Sequence, residues 1–412
     1  MKNAAVDFSR VVAKMKAQQS LSNTPLYGSN RMDDVFNAIK PEYLRISQPA
    51  RGYGKACDVP YIFCDFSKDE NDPGNYYFHQ TDEVMGSARA TGAKIIYRLG
   101  AAPERMCPRI YCKKPDDFEK WARVCANIAE HVNADGRVEY FEIWDEPDVW
   151  DNWENGTCAE YCRLYEIAAR TLKARNSSWK VGGPAASDID FCREFAAYVN
   201  KRGVPLDFFT YHCYEDDLAR AFDRLDALNA ILPDFKGEKF IGAWNCADLS
   251  LPERALFRDV QSMRGAAYDA GFMILAQEKG FDASFYFNPQ PSSRWCGFTT
   301  QYNDCRKKPY FAFEAFARLK ALPDQVAAQA DGFYILAAKA GKNCGVYLSN
   351  FDESEGVMKI KLSGTGAYQA DYYLLNENRD MALVKSDFSD PGGVLAIKYS
   401  GFTVAYVDIK GR

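Results

Sequence analysis

Two carboxylates side by side at the end of a buried strand are the first feature of this sequence with a chemical use. The segment FEIWDEPDVW, residues 141–150, sets Asp145 beside Glu146 after an apolar run, with Pro147 following. Carboxyls held in one place can divide acid and base duties, one protonated and one ionised. Adjacent side chains of a regular strand point to opposite faces, so both acids reach one site only if the strand bulges or ends there, and Pro147 is placed to end it. The competing reading is an Asp-Glu pair that merely caps the next helix. Further along, DFFTYHCY ends with His212 and Tyr214 on one strand face, an imidazole and a phenol able to bind a ligand or orient a carboxylate. Arg98, in YRLG, is a buried-charge candidate that would bind a ligand carboxylate or pair with Asp145 or Glu146.

Such groups need a scaffold that gathers strand ends. Eight short β-rich apolar segments recur, at 25–29, 42–47, 94–99, 140–146, 180–184, 207–214, 239–245 and 283–288, separated by helical patterns such as 116–132, 159–175 and 253–277. This alternation predicts a (β/α)8 TIM barrel, whose active sites lie at the carboxyl ends of the strands. Asp145 and Glu146 close the fourth strand, Arg98 the third, His212 and Tyr214 the sixth. After a helical segment at 310–322 come alternating runs broken by Gly, Asn and Asp, which predict a C-terminal antiparallel β-sandwich. The predicted division is a barrel with a short N-terminal segment over 1–322 and a β domain over 323–412. Val11, Val12 and Met15 read as a short amphipathic helix.

A chain of 412 residues suits one large and one small core. Its net charge of −5, with both signs interspersed and no basic block, argues against nucleic acid or a membrane surface as partner. A small neutral or mildly charged molecule is expected, and a homo-oligomer is compatible with the composition. Lys2, Arg10, Lys14 and Lys16 interrupt the first residues, so no apolar core of a secretion signal is read there, and no later run approaches a membrane span. Thirteen cysteines without a small-scaffold framework indicate reduced thiols and predict a cytoplasmic protein. Cys107 with Cys112, and Cys158 with Cys162, have spacings that suit zinc, but only three histidines and no second thiol pair in register argue against a metal site. No cofactor is implied.

FEIWDEPD resembles the WEIWNEPD segment of the clan A glycoside hydrolases, and specifically of family 39, the family of β-xylosidases and α-L-iduronidase. KVGGPA (180–185), DFFTYHCY (207–214), WN (244–245) and SFYFNPQPSSRWCGF (284–298) leading into KKPYFAFEAFARLKAL (307–322) are similar to that family's later strands in the same order. The resemblance covers residues 25–325. It implies hydrolysis of a small glycoside or oligosaccharide by a retaining mechanism, with Glu146 as general acid/base. At the mouth of such a barrel, Trp144, Trp244, Phe287 and Trp295 supply flat apolar faces suited to a pyranose. With Asp145, Arg98, His212, Tyr214 and Asn245 they are the expected sugar-binding groups.

The second catalytic group is where the sequence departs. The family's nucleophile is a Glu on the seventh strand, in EWN, whereas the stretch here is FIGAWNC, with Ala243 at that position. A methyl group cannot attack an anomeric carbon. Glu238, at the other end of the strand, lies roughly 16 Å away at strand rise. The Asn that usually precedes the acid/base is Asp145 here, which can accept from the sugar 2-hydroxyl that this Asn binds but cannot donate to it. A retaining pair needs carboxyls about 5–5.5 Å apart and an inverting pair about 6.5–9.5 Å. Three explanations stand open: a deliberate nucleophile-to-alanine replacement in a working enzyme, a native loss of hydrolysis that keeps sugar binding, or completion by another group. For the last, Asp145, Glu215, Asp216, Cys213 and Cys246 are nearest in sequence. A non-hydrolytic lyase on the same barrel is a further alternative.

Overall fold

The computed structural model describes residues 1–25, 32–47, 56–100, 113–150, 152–291, 293–300 and 305–411, apart from the side chains of residues 253 and 254. Strand β1 (Lys2–Lys14) joins a second sheet, treated below. The next eight strands close into a parallel barrel: β2 (Ala17–Ser22), β3 (Tyr43–Ile46), β4 (Lys94–Leu99), β5 (Tyr140–Ile143), β6 (Lys180–Ala186), β7 (Phe208–Glu215), β8 (Glu238–Cys246) and β9 (Ala283–Tyr286). Seven of these coincide with the expected segments. The first does not: the barrel opens with β2 rather than at 25–29, most of which lies outside the described residues. The reason is polarity, since β2 reads AQQSLS and its Gln18, Ser20 and Ser22 are fully buried, so no apolar run marks it.

The strand period of two builds the barrel interior in layers. An apolar floor gathers Ala17, Tyr43, Ile96, Tyr140, Phe208, Phe240, Ala283 and Phe285 from seven of the eight strands. On β6, Gly182 leaves room for this floor, because a Cβ there would stand 2.4 Å from the Phe208 ring. Two residues further along the same strands come Arg45, Arg98, Glu142 and Thr210, all buried. The interior therefore changes from aromatic to ionic within one repeat, towards the carboxyl ends of the strands. The helix Cys158–Arg175, which follows the fourth barrel strand, begins with a capping box between Thr157 and Glu160. The segment expected as one helix at 253–277 is two, Glu253–Leu256 and Met263–Glu278, the second capped by the Ser262 hydroxyl.

Beyond the barrel run β10 (Asp324–Ala330), β11 (Tyr334–Ala340), β12 (Asn343–Asn350), β13 (Glu355–Ser363), β14 (Tyr368–Asn376), β15 (Arg379–Ser389), β16 (Val394–Ser400) and β17 (Thr403–Gly411). With β1 they form one nine-stranded sheet in the order β15-β14-β17-β12-β11-β10-β1-β13-β16, curled around its own core. Two expectations are corrected here. Residues 11–14 are strand rather than helix, and the N-terminal strand belongs to the β unit, not to the barrel segment 1–322. The strands after the barrel pair antiparallel with one another, as expected, and the parallel pairing comes from β1, which runs parallel to β13 while pairing antiparallel with β10. The physical reason is burial at alternate positions: Val6 and Phe8 are each 1% exposed and pack into the sheet's core. The sheet docks on the barrel through the helices Met263–Glu278 and Lys308–Lys320, where the Ser349 hydroxyl donates to the Ala267 carbonyl (2.6 Å) and the Tyr347 hydroxyl to that of Ala312 (3.0 Å).

Truncating Phe8 should show that the N-terminal strand is integral to the sheet. Phe8→Ala leaves a cavity between strands distant in sequence and should cost about 3–5 kcal/mol in denaturant unfolding. A loss below about 1 kcal/mol would mean that β1 packs loosely.

Candidate active site

Strand β5 stops at Ile143, and the chain then leaves the regular alternation. Trp144 and Glu146 both adopt left-handed backbone, φ 71° and 49°, a conformation that costs a non-glycine residue energy and clusters at functional sites. The turn is tied down on both sides: the Trp144 N–H donates to the Leu99 carbonyl of β4 (2.8 Å) and the Glu146 N–H to that of Ala185 on β6 (3.0 Å). As a result Asp145 and Glu146 reach the same imidazole. Glu146 Oε1 lies 2.9 Å from His212 Nδ1, and Asp145 Oδ1 lies 3.9 Å from His212 Nε2. The Asn152 amide donates to the other Glu146 oxygen at 3.0 Å.

Beneath the acids lies a buried ion network. Arg45, 1% exposed, donates from Nε to Glu142 (2.8 Å) and from Nη2 to Asp145 Oδ1 (2.6 Å). Arg98 donates to the Ser47 carbonyl and pairs with Asp58 rather than with Asp145 or Glu146. Burial opposes ionisation of Asp145, but the charges of Arg45, Arg98 and His212 more than offset it and hold its carboxyl below the ordinary 3.8. Glu238, at the floor, bonds Tyr140 and Lys180, far from this layer.

On the opposite side, His212 of β7 pairs in register with Ala243 of β8. The register slips by one residue at Gly242, where a Cβ would lie 3.4 Å from His212 Nε2. The Ala243 methyl is buried but packs into neither the floor nor the outer core. Tyr214, Phe287 and Trp295 do come together at the rim: Trp295 lies 5.3 Å from the Tyr214 ring and 6.0 Å from that of Phe287.

Three expected sugar contacts are corrected. Trp244 is fully buried on the outside of the barrel wall, stacked on Phe272 at 4.2 Å. Trp144 packs outward against Trp121 and Trp153. Trp244 follows Ala243 on a strand and alternation sends it the other way, whereas Trp144 is turned outward by the left-handed backbone after Ile143. The Asn245 amide donates to the carbonyls of Phe287 (2.6 Å) and Trp295 (3.0 Å), so it holds the rim loop together. Cys107 and Cys112 lie outside the described residues, and the sulfurs of Cys158 and Cys162 stand 3.9 Å apart. Sequence reasoning missed Arg45, Glu142, Asn152 and Asp58. For the first two a signal existed, an ionisable residue two positions beyond an inward tyrosine of a barrel strand.

A parallel barrel with hydrogen-bonded carboxylates at the carboxyl ends of its strands has the layout of an acid–base enzyme. The chain belongs to family 39 of the glycosyl hydrolases, whose sequence model matches residues 33–238. That match ends before Ala243. A β-xylosidase of Caldicellulosiruptor saccharolyticus is 31% identical over 164 residues, 36% of this chain and 34% of that protein. One from Geobacillus stearothermophilus is 28% identical over 179 residues, 40% of this chain and 36% of that protein. The chain thus aligns with about a third of the length of the curated relatives it matches. Among solved structures, a glucosidase from Croceicoccus marinus superposes with a TM-score of 0.81 at 18% identity, covering 100% of this chain and 99% of the other. A monomeric β-xylosidase from Caulobacter crescentus CB15 gives 0.77 at 18% identity with both chains fully covered. These two likenesses establish the fold.

The ion network makes a direct prediction. Arg45→Met strands two buried carboxylates and should destabilise the protein by about 3–5 kcal/mol at pH 7 in urea unfolding. Because the folded state depresses the Asp145 pKa, the Asp145 share of that stabilisation is present at neutral pH and is lost as pH falls through the depressed value. The gap between wild type and variant should therefore narrow in acid. A gap that is small or independent of pH would contradict the pairing.

Proposed function

We propose that this protein hydrolyses a small β-xyloside-like glycoside, with Glu146 as the general acid that protonates the leaving oxygen. The observation that carries the reading is the setting of Glu146: it sits at the barrel mouth, one-quarter exposed, fixed by His212 and Asn152 on its two oxygens. A positioned carboxyl of this kind can deliver a proton while bond cleavage proceeds. The ring of Tyr214, Phe287 and Trp295 offers apolar faces to a pyranose. The curated relatives named above, β-xylosidases, favour a pentose among small glycosides. The described cysteines are all free thiols, in keeping with a cytoplasmic setting.

Ala243 favours a second reading, a barrel that binds sugar without cleaving it, since recognition and cleavage rest on different residues. Turnover of a panel of aryl glycosides separates the two. For a hydrolase, Glu146→Gln should slow glycosides with poor leaving groups by about 10²–10⁴-fold and spare those with very good leaving groups, which need little protonation. Equal loss on both, or none on either, contradicts the acid role. No turnover by wild type, together with calorimetric sugar binding that His212→Ala weakens, favours the binding reading.

A further inference from the structure

We propose that the substrate supplies the nucleophile that Ala243 cannot: the site cleaves 2-acetamido-2-deoxy-β-pyranosides, the acetamido oxygen attacking the anomeric carbon while Asp145 holds the amide N–H. The proposal rests on the hydrolase reading, keeps its pyranose ring and its acid Glu146, and specifies the substituent at the second carbon.

The neighbouring acids and thiols are otherwise engaged. Glu142 is wholly buried beneath Arg45, with Oε2 bonded to it. Both oxygens of Glu215 are taken, one by Arg220 and one by Arg224. Asp216 pairs with Arg220 and Arg264, and Asp148 accepts from the N–H groups of Ser187 and Asp188. The thiols of Cys213 and Cys246 are buried, and burial pushes Cys213 up to about 12 and Cys246 well above its ordinary value, so neither supplies a thiolate. Asp145 leaves the same turn as the acid Glu146, not β8, so it does not stand in for a group at 243. Hydrolysis without a nucleophile from the enzyme is the substrate-assisted exception to the two-carboxylate scheme, and it needs an amide beside the anomeric carbon.

Asp145 selects that amide. The residue before the acid is the one expected to meet the substituent at the second carbon, and here it is a carboxylate, which accepts and does not donate. Arg45 bonds its Oδ1 at 2.6 Å, Oδ2 has no partner among the described residues, and the side chain is one-tenth exposed. An amide N–H is therefore matched. As the amide oxygen closes on the anomeric carbon, positive charge spreads over the new ring and the fixed carboxylate stabilises it.

The space beside His212 is the second, independent observation. The imidazole meets Glu146 at 2.9 Å, lies 3.9 Å from Asp145, and pairs in register with Ala243, so the acid, the N–H acceptor and the vacated position surround one ring. The ring is 2% exposed, yet its buried Nε2 has no hydrogen-bond partner among the described residues, a costly state that a polar group of the ligand relieves. Gly242, where a Cβ would lie 3.4 Å from Nε2, and Ala243 bring nothing larger than a methyl to this stretch of β8. A glutamate at 243 would compete with the acetamido group for that room. The two departures from the family motif then belong together, a carboxylate at 145 and a methyl at 243.

In this scheme protonated Glu146 gives its proton to the leaving oxygen as the bond from that oxygen to the anomeric carbon breaks. The acetamido carbonyl oxygen forms a bond to the same carbon from the opposite face, which gives a five-membered oxazolinium ring whose N–H stays bonded to Asp145. Glu146, now ionised, takes a proton from water as the water oxygen attacks the anomeric carbon on the face the leaving group vacated. The ring bond breaks, its electron pair returns to the carbonyl oxygen, and the amide is restored. Two inversions give net retention.

The test compares aryl β-glycosides that differ only in carrying hydroxyl or acetamido at the second carbon, with the anomeric protons followed by NMR before mutarotation. Wild type should cleave the acetamido member at least about 10²-fold faster, because its nucleophile is built in, and release the retained sugar first. Its rate should fall in steps through mono-, di- and trifluoroacetamido substrates, since fluorine draws electrons from the attacking oxygen. Asp145→Asn, nearly isosteric and checked for folding by circular dichroism, should lose about 10²–10³-fold in kcat on the acetamido member. Ala243→Glu should reverse the preference in favour of the hydroxyl member. Equal or faster cleavage of the hydroxyl member by wild type, an inverted product, a rate indifferent to fluorine, or undiminished kcat in Asp145→Asn each overturns the proposal while leaving the hydrolase reading intact. Cleavage of neither member by wild type overturns both.

Discussion

A guanidinium buried in the middle of a barrel must be matched by anions, because taking it out of water costs several kcal/mol. Arg45 meets that demand with Glu142 and Asp145. Much of the site's form follows from this one requirement. Asp145 can reach Arg45 only by pointing inward just past the end of β5, and the left-handed turn that places it there also delivers Glu146 to His212. Both departures from ordinary backbone, at Trp144 and Glu146, flank the residue that the guanidinium holds.

The layered interior explains why these charges act strongly on one another. Below them the floor is aromatic and closed, with Tyr43, Tyr140, Phe208 and Phe240 packed ring against ring. Such surroundings have a low effective dielectric, so pairing is worth more than it would be in water and an unmatched charge is correspondingly costly. Arg98 is matched separately by Asp58 and the Ser47 carbonyl. The network therefore contributes rigidity to the mouth of the barrel as well as field. Helices that begin with firm caps, such as the one started by Thr157 and Glu160 just after the acids, hold the same rim from outside.

Seven barrel strands were legible in the sequence because apolar residues mark both faces of a strand buried on both sides. The eighth, β2, was not, since its buried residues include Gln18, Ser20 and Ser22 and form no apolar run. Nor was β1, whose partners lie more than three hundred residues away and leave no local trace. At the site, Glu146, Asp145 and His212 came from types and positions alone, and the structure brings them to one ring. Trp144 and Trp244 were misread because closeness to a functional residue in the chain was taken for closeness in space, whereas alternation sends Trp244 to the face away from Ala243 and the left-handed turn past the end of β5 sends Trp144 outward. Arg45 and Glu142 stand at inward positions of their strands and were within reach of the same alternation rule. The partnering of Arg98 with Asp58 was not, because nothing in the chain fixes which anion a buried cation will meet.

The claim on which the rest depends is that Arg45 and its neighbours keep Asp145 ionised despite burial. Carbon-13 NMR of aspartate-labelled protein, with the Asp145 resonance assigned through Asp145→Asn, measures this directly as a titration of that carboxyl. The account predicts a midpoint below the ordinary 3.8. A midpoint at or above that value would mean that burial dominates the pairing, and would contradict the account.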